Sequence, residues 1–291
     1  MKKLGFGLMR LPLLEADDQQ RIDTETVCRM ADLFLKSGFS YFDTAYPYHA
    51  GMSEVAFREA VVERYLRTAY TITDKLPLYL IHKEEEMEPL FQQQLERLGL
   101  GTIDYYWLHN IGTASYALAE KIHSFDFLKR KKELGLVDHI GFSFHDRADL
   151  LDKVLTAHPE MEFVQLQLNY LDWEDANIQA RLCCETAVRH GKKVMVMEPL
   201  KGGTLASLPP RAEAILKQYR PELSPAGWAL LFAAGQTPVE TVLSGMSSQR
   251  QMEENLYIMD NEPPLTRSEQ DVLLKVAEIL REDIAIPCTT C

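Results

Sequence analysis

The chain has 291 residues, 46% hydrophobic and 25% charged, which is the profile of a soluble globular protein with ample apolar material for a core. A formal net charge of −12 argues against a general nucleic-acid binder or a protein docking on anionic membranes, while leaving room for a local basic pocket. No apolar run approaches the roughly 18 residues of a membrane span. The start reads as mature protein, because Arg10 and Pro12 break its apolar stretch. Five cysteines without even spacing point to a reducing cytoplasm and not to a disulfide framework.

Strand-like and helix-like segments then alternate. A strand at 4–9 precedes a helix at 24–37, where Val27, Met30, Ala31, Phe34 and Leu35 keep the helical period and Gly38 occupies the C-cap position. A strand at 40–43 leads to a helix at 53–66. A strand at 70–75 leads to a helix at 84–98, which opens with Glu84, Glu85 and Glu86, favoured there by the helix dipole, and stops at Gly99. Strands at 103–109, 138–143 and 163–168 precede helices at 118–134, 147–157 and 175–190. After a strand at 193–198, residues 201–223 read as a loop over the rim. Ser224-Pro225 opens a helix at 224–234 with Gly235 beyond it. A strand at 240–244 and a helix at 248–260 follow, and Thr266 with Glu269 forms a capping box for a last helix at 267–281.

Eight strands alternating with eight helices predict an α/β fold. It is a single (β/α)8 TIM barrel with an additional C-terminal helix over residues 1–285, and 286–291 form a C-terminal tail. The alternative, an open doubly wound sheet, usually carries a glycine-rich turn after its first strand. Here "GFGLMR" lacks the G-x-G-x-x-G spacing.

In a parallel barrel the C-terminal strand ends share one rim, where such enzymes keep their catalysts. Asp43 and Tyr48 in "SYFDTAYPY", Lys75 ending "YTITDK" and His109 in "IDYYWLHN" all fall there. Singly, each has an ordinary structural role. Together they form a cluster able to protonate a carbonyl oxygen. Carbonyl reduction also needs a hydride, which no side chain supplies, so a nicotinamide or similar cofactor is implied. Tyr48 is the candidate acid. A lysine ammonium roughly 4 Å away, at an effective dielectric near 20, would favour its phenolate by about 4 kcal/mol, or about three pKa units. Lys75 is expected to act in this way, with Asp43 holding it charged and His109 orienting the carbonyl oxygen.

"FDTAYPYHAGMSE", "TDK", "YYWLHN" and "GFSFH" together resemble the aldo-keto reductases across essentially the whole chain. In that family an Asp, a Tyr five residues later, a Lys and a His form the catalytic tetrad, matching Asp43, Tyr48, Lys75 and His109. The resemblance implies a cytoplasmic oxidoreductase reducing a small aldehyde or ketone with NADP or NAD, NADP being ahead. It also implies that Asp43, Ser143, Gln165 and Asn169 contact the nicotinamide end. Met197, Leu200 and Gly202 in "MEPLKGG" would pack on nicotinamide and diphosphate. Gly245, Ser247, Gln251, Glu254 and Asn255 in "SGMSSQRQMEENL" would meet the adenosine phosphate. Many relatives have an aromatic ring where this chain has Met197, an asparagine at Phe144, and cations at Gly245 and Gln251. Arg250 is the cation left next door. A non-catalytic nucleotide-sensing subunit on the same barrel is the competing function.

Cys28, Cys183 and Cys184 fall on apolar helix faces and read as core residues. The final "IPCTTC" resembles the start of the iron–sulfur extension of one aldo-keto reductase subgroup, with Cys288 and Cys291 as two of its thiolates. A cubane cluster needs four, so no complete cluster and no other metal is expected in this chain. The substrate wall is open: Tyr46, Trp107 and Trp173 are aromatic candidates that core packing explains equally well, and oligomeric state is not readable.

Overall fold

Inward-facing positions alternate along each strand, and this alternation builds both the plug of the barrel and the site above it. The computed structural model describes residues 2–283. Its strands are β1 (Leu4–Gly7), β2 (Tyr41–Asp43), β3 (Thr71–Pro77), β4 (Ile103–Ile111), β5 (Val137–Phe144), β6 (Phe163–Gln167), β7 (Lys193–Met197) and β8 (Val239–Ser244). All are parallel, and they close in sequence order, with β1 pairing both β2 and β8.

Tyr41, Tyr105, Trp107, Phe163, Met195 and Leu243 form an apolar cluster separate from the main core. Two residues further along their strands stand Asp43, Trp107 and then His109, Gln165 and Met197. The period of two thus stacks polar groups on an aromatic floor. Gly141 makes room for that floor: a Cβ there would run into the Phe163 carbonyl and lie 2.8 Å from the Trp107 ring. The larger core lies between strands and helices, where Phe6, Phe34, Phe42 and Phe57 are all nearly or fully buried.

The helices are α1 (Thr24–Lys36), α2 (Ser53–Phe57), α3 (Met87–Leu98), α4 (Thr113–Lys121), α5 (Ser124–Glu133), α6 (Ala148–Ala157), α7 (Ala180–Arg189), α8 (Pro210–Lys217), α9 (Pro225–Ala234), α10 (Gln249–Asn261) and α11 (Arg267–Asp283). Asp23 caps α1 through Thr26 N at 3.0 Å. The Thr266–Glu269 box is formed, with Thr266 N donating to Glu269 at 2.7 Å.

Four expectations are corrected. The helix over 118–134 is two helices starting at 113, because His123 turns left-handed at φ 55 and the buried Ser124 hydroxyl returns to Ala119 O. The segment 53–66 is α-helical only to Phe57 and continues as a π turn over Arg58–Val62. The helix at 175–190 starts at Ala180, since the Asp175 carboxylate takes the amides of Asn177 and Ile178 in a turn of its own. The presumed loop 201–223 contains α8, whose Pro209-Pro210 start carries the same N1-proline signal as α9. Among the described residues no helix is long and apolar enough to cross a membrane. The two tail cysteines, Cys288 and Cys291, lie outside the described residues.

Candidate active site

Three strand ends and one strained turn converge at a single corner of the rim. Lys75 on β3 is fully buried, and its ammonium donates to Asp43 Oδ1 and to Thr44 O, both at 2.6 Å. Tyr48 Oη lies 3.5 Å from the same nitrogen. Gln165 Nε2 donates to the other Asp43 oxygen at 3.0 Å, so the carboxylate has one donor per oxygen.

Tyr48 opens a tight turn in which His49 and Ala50 are left-handed, at φ 52 and 51, a conformation that L residues hold only when their surroundings over-determine it. His49 supplies that constraint. Its Nδ1 donates to Gln19 O and its Nε2 accepts from Leu11 N, both at 3.1 Å, which ties the segment after β1 to the rim.

His109 meets the Tyr48 ring edge-on, with centroids 6.1 Å apart. A bulge follows it. Asn110 is left-handed at φ 65 and the β4–β5 register shifts between Leu108 and Ile111. Asn110 N donates to Ser143 Oγ at 2.7 Å, which joins this end to β5. His109 Nδ1 is buried without a partner among the described residues. With its proton on Nε2, the ring presents a donor to the cavity.

Burial dominates the electrostatics. Burial and then the Lys75 charge push His109 down to about 3, so the ring is neutral at physiological pH. Burial likewise lowers His49 and His145. For Tyr48 the structure corrects the expected downward shift. Burial raises the phenol above its ordinary 10.0 and outweighs Lys75, whose pull is partly cancelled by Asp43 beside it. Tyr48 therefore keeps its proton at neutral pH. Burial alone would lower Lys75, but Asp43 and Tyr48 reverse this and leave it above its ordinary value. Burial holds Asp43 above the usual carboxylate range, against the pull of Lys75 and Gln165.

These directions predict that His109 shows no ring titration between about pH 5 and 8 by NMR. The unfolded chain binds that proton near 6.5 and the folded chain only near 3, so stability falls as pH drops below 6.5. A His109 resonance titrating near 6.5 would contradict the neutral assignment.

A buried acid pair that sequence reasoning missed supports this corner. Asp74 Oδ1 accepts from Lys75 N at 2.8 Å, and Gln94 donates to Lys75 O at 3.1 Å, which clamps the lysine backbone on both sides. Arg97 pairs with Glu54 at 3.0 Å. The remaining oxygens, Glu54 Oε1 and Asp74 Oδ2, have no other donor among the described residues. Burial and the adjacent Glu54 drive Asp74 well above the carboxylate range, so the two carboxyls share one proton. No spacing rule in the sequence marks such a pair.

A cavity of about 1140 Å³ opens over the corner and runs toward β8. Asp43, Tyr48, His109, Ser143, Gln165 and Met197 line it, as do Leu200 and Gly202 from the turn after β7, and Gly245, Ser247, Gln251, Glu254 and Asn255 from the segment after β8 and from α10. Lys75 lies beneath the wall. Asn169 is not on it: its side chain is spent on Asp172 at 2.7 Å, on Glu198 O at 3.0 Å and on the Leu171 and Asp172 amides. Asn255 donates to Ser244 Oγ, and Gln251 accepts from Ser247 N.

None of the aromatic wall candidates lines the cavity. Trp107 belongs to the barrel floor, Tyr46 stacks on Arg97 at 4.3 Å, and Trp173 packs on Phe232. The wall is instead Tyr79, 53% exposed with its ring 6.5 Å from His109, together with Met9 and His145. Tyr79 and Arg10 follow strand ends directly, and that position was the available signal for both. Among the described residues no group of His, Cys, Asp and Glu is arranged to hold a metal ion. Cys183 and Cys184 are buried, which pushes their thiols up to about 12.

Residues 3–277 match the model of the aldo/keto reductase family. No curated protein matches the chain. Among solved structures, the holo form of aldo-keto reductase AKR11C1 from Bacillus halodurans is similar at 23% identity and a TM-score of 0.76, covering 94% of this chain and 91% of that one. An aldo-keto reductase from Klebsiella pneumoniae in complex with NADPH is similar at 17% identity and a TM-score of 0.74, covering 94% and 90%. The thermostable aldo-keto reductase Tm1743, in complex with the inhibitor epalrestat, is similar at 19% and 0.75, covering 94% of each chain. At these identities the likeness establishes a shared fold.

Proposed function

The chain belongs to the aldo/keto reductase family, and on that premise we propose that it reduces an aldehyde or ketone to the alcohol by hydride transfer from NAD(P)H, with Tyr48 as general acid. The observation that carries the proposal is the convergence of Tyr48, Lys75, Asp43 and His109, with the lysine 2.6 Å from the carboxylate and 3.5 Å from the phenol.

The cavity fits a dinucleotide. Its volume exceeds the roughly 300–1,000 Å³ usual for small-ligand sites. Ser143 and Gln165 offer polar groups at the catalytic end, and Met197 an apolar, adaptable surface. When bound there, the nicotinamide supplies the hydride. The remaining work falls to the chain. Neutral His109 donates a hydrogen bond that fixes the carbonyl oxygen beside Tyr48. As hydride reaches the carbon, that oxygen becomes an alkoxide, far more basic than a phenolate, so Tyr48 delivers its proton downhill despite its raised pKa. The Lys75 ammonium then faces the phenolate left behind, and Asp43 keeps the lysine charged and in place.

Gly245 and Gln251 offer no charge to an adenosine 2′-phosphate. Arg250, exposed in the first turn of α10 and without an ion pair among the described residues, keeps NADP ahead of NAD. The catalytic unit is the closed eight-stranded barrel itself.

Steady-state assays with a broad panel of aldehydes and ketones are expected to show carbonyl-dependent oxidation of NADPH, and more slowly of NADH. Tight dinucleotide binding with no turnover on any carbonyl would instead identify a nucleotide-sensing subunit.

A further inference from the structure

We propose that Glu54 and Asp74, joined by a single proton, tie the strand that carries Lys75 to the turn that carries Tyr48, and so act as positioning residues for the pair that delivers the proton; this assignment rests on the catalytic reading above. Asp74 and Lys75 are neighbours on β3, so their side chains leave opposite faces of the sheet. Lys75 enters the barrel, and Asp74 enters the layer beneath the helices, beside Tyr106, its partner on β4. Asp74, Glu54 and Gln94 are all fully buried. This layer grips Lys75 through its backbone. Asp74 accepts from Lys75 N, and Gln94, which itself accepts from Tyr106 Oη at 2.6 Å, donates to Lys75 O. The same layer grips the turn. Glu54 stands in the first turn of α2, directly after it. Arg97, paired with Glu54, stacks on Tyr46 and lies against Gly51, left-handed at φ 91, where an added Cβ would sit 3.1 Å from its Nη1.

The contact between Glu54 and Asp74 joins the two grips. Their carboxyl groups hydrogen-bond to each other, and carboxylate oxygens can only accept, so one of the two carries a proton. Charge leads to the same count. Arg97 is the cation paired with this couple, while the Lys75 ammonium lies across the strand, committed to Asp43 and Thr44 O. The other polar groups facing it, Tyr106 on β4, Gln94 on α3 and Tyr46 beyond Arg97, are not cations. One guanidinium and two carboxyls are neutral with one proton, and without it a buried charge is left uncompensated. Release of either grip lets the Lys75 backbone move, and with it an ammonium that must face Tyr48 Oη, 3.5 Å away.

The test compares Asp74→Ala and Asp74→Asn with the parent in carbonyl-reduction rate, dinucleotide affinity and urea unfolding at about pH 5 and pH 8. Asp74→Ala removes both the acceptor and the proton. It is expected to lower kcat by roughly 10- to 100-fold, the scale of a misplacement near 1 Å, and to keep dinucleotide affinity, because Asp74 does not line the cavity. Asp74→Asn keeps an acceptor for Lys75 N and offers Glu54 a donor that never titrates, so it should recover most of that rate. The bridge also fixes the sign of a pH effect. Unfolded carboxyls release their protons near about pH 4 and the folded pair keeps one to higher pH, so parent stability falls as pH rises above that point. Asp74→Asn lacks this fall, and its urea midpoint should gain on the parent's between pH 5 and pH 8. Asp74→Ala at the parent rate, or Asp74→Asn as slow as Asp74→Ala, would overturn the positioning role, as would a loss of dinucleotide affinity in step with the rate. A midpoint difference that does not grow with pH would overturn the shared proton, and it decides alone if Asp74→Ala does not fold. A parent without carbonyl turnover removes the catalytic reading and the positioning role with it, while the midpoints still report the bridge.

Discussion

Tyr48→Phe is expected to lower kcat for carbonyl reduction by roughly 100-fold or more while leaving dinucleotide affinity near the parent value. The substitution removes one oxygen. The ring keeps its place against His109, and the left-handed turn at His49 and Ala50 does not depend on the hydroxyl. What disappears is the proton, held on Tyr48 at neutral pH because burial outweighs Lys75. His109 does not take over, since its ring is neutral with a pKa near 3 and Lys75 opposes its protonation. Stopped-flow or steady-state rates, read beside a cofactor titration, separate the two effects. Turnover at the parent rate would remove Tyr48 from the role of acid. Loss of cofactor binding in step with the rate would make the residue part of the cavity wall only.

Lys75→Met should abolish activity and also destabilise the fold by about 3–5 kcal/mol, seen as a lowered urea midpoint. Methionine fills much of the volume, so the cost is electrostatic. Asp43, 3% exposed, would keep a carboxylate with Gln165 as its one remaining donor among the described residues. Adding Asp43→Asn to Lys75→Met removes the stranded charge and should recover much of the stability with none of the activity. A double variant no more stable than the single would mean that the ion pair does not govern this corner. The alkaline side carries a sign of its own. Lys75 is raised above 10.5, burial being overcome by Asp43 and Tyr48, so its contribution is complete below about pH 10.5 and is lost only as pH rises through the higher folded value.

Strand placement was legible because it rests on local physics. Short apolar runs ending in Asp43, Lys75 and His109 recur with helices between them, and a parallel barrel is the arrangement that buries each run on both faces. Helix detail was less legible wherever a side chain competes with the backbone ladder. Ser124 bonding back to Ala119 O splits one helix in two, and Asp175 holding two amides delays another by five residues. Trp107 and Trp173 stayed open between cavity wall and core for a different reason. Aromatic identity does not say which layer of a barrel a ring occupies, whereas strand parity puts Trp107 in the floor, one inward position below His109.

The order and chemical type of the rim residues were determined by the amino-acid sequence, since strand-end position depends on neighbours in the chain. The tertiary structure decided everything that depends on distance and dielectric. It set the direction of the Tyr48 shift, because desolvation is a property of the packed site and not of the tyrosine–lysine pair. It gave Asn169 to a structural network instead of the cavity. It joined Glu54 to Asp74 from separate elements to share a proton. It also laid Arg10 across Gly245, more than two hundred positions away in the chain, where closure of β8 onto β1 brings the two ends of the barrel together.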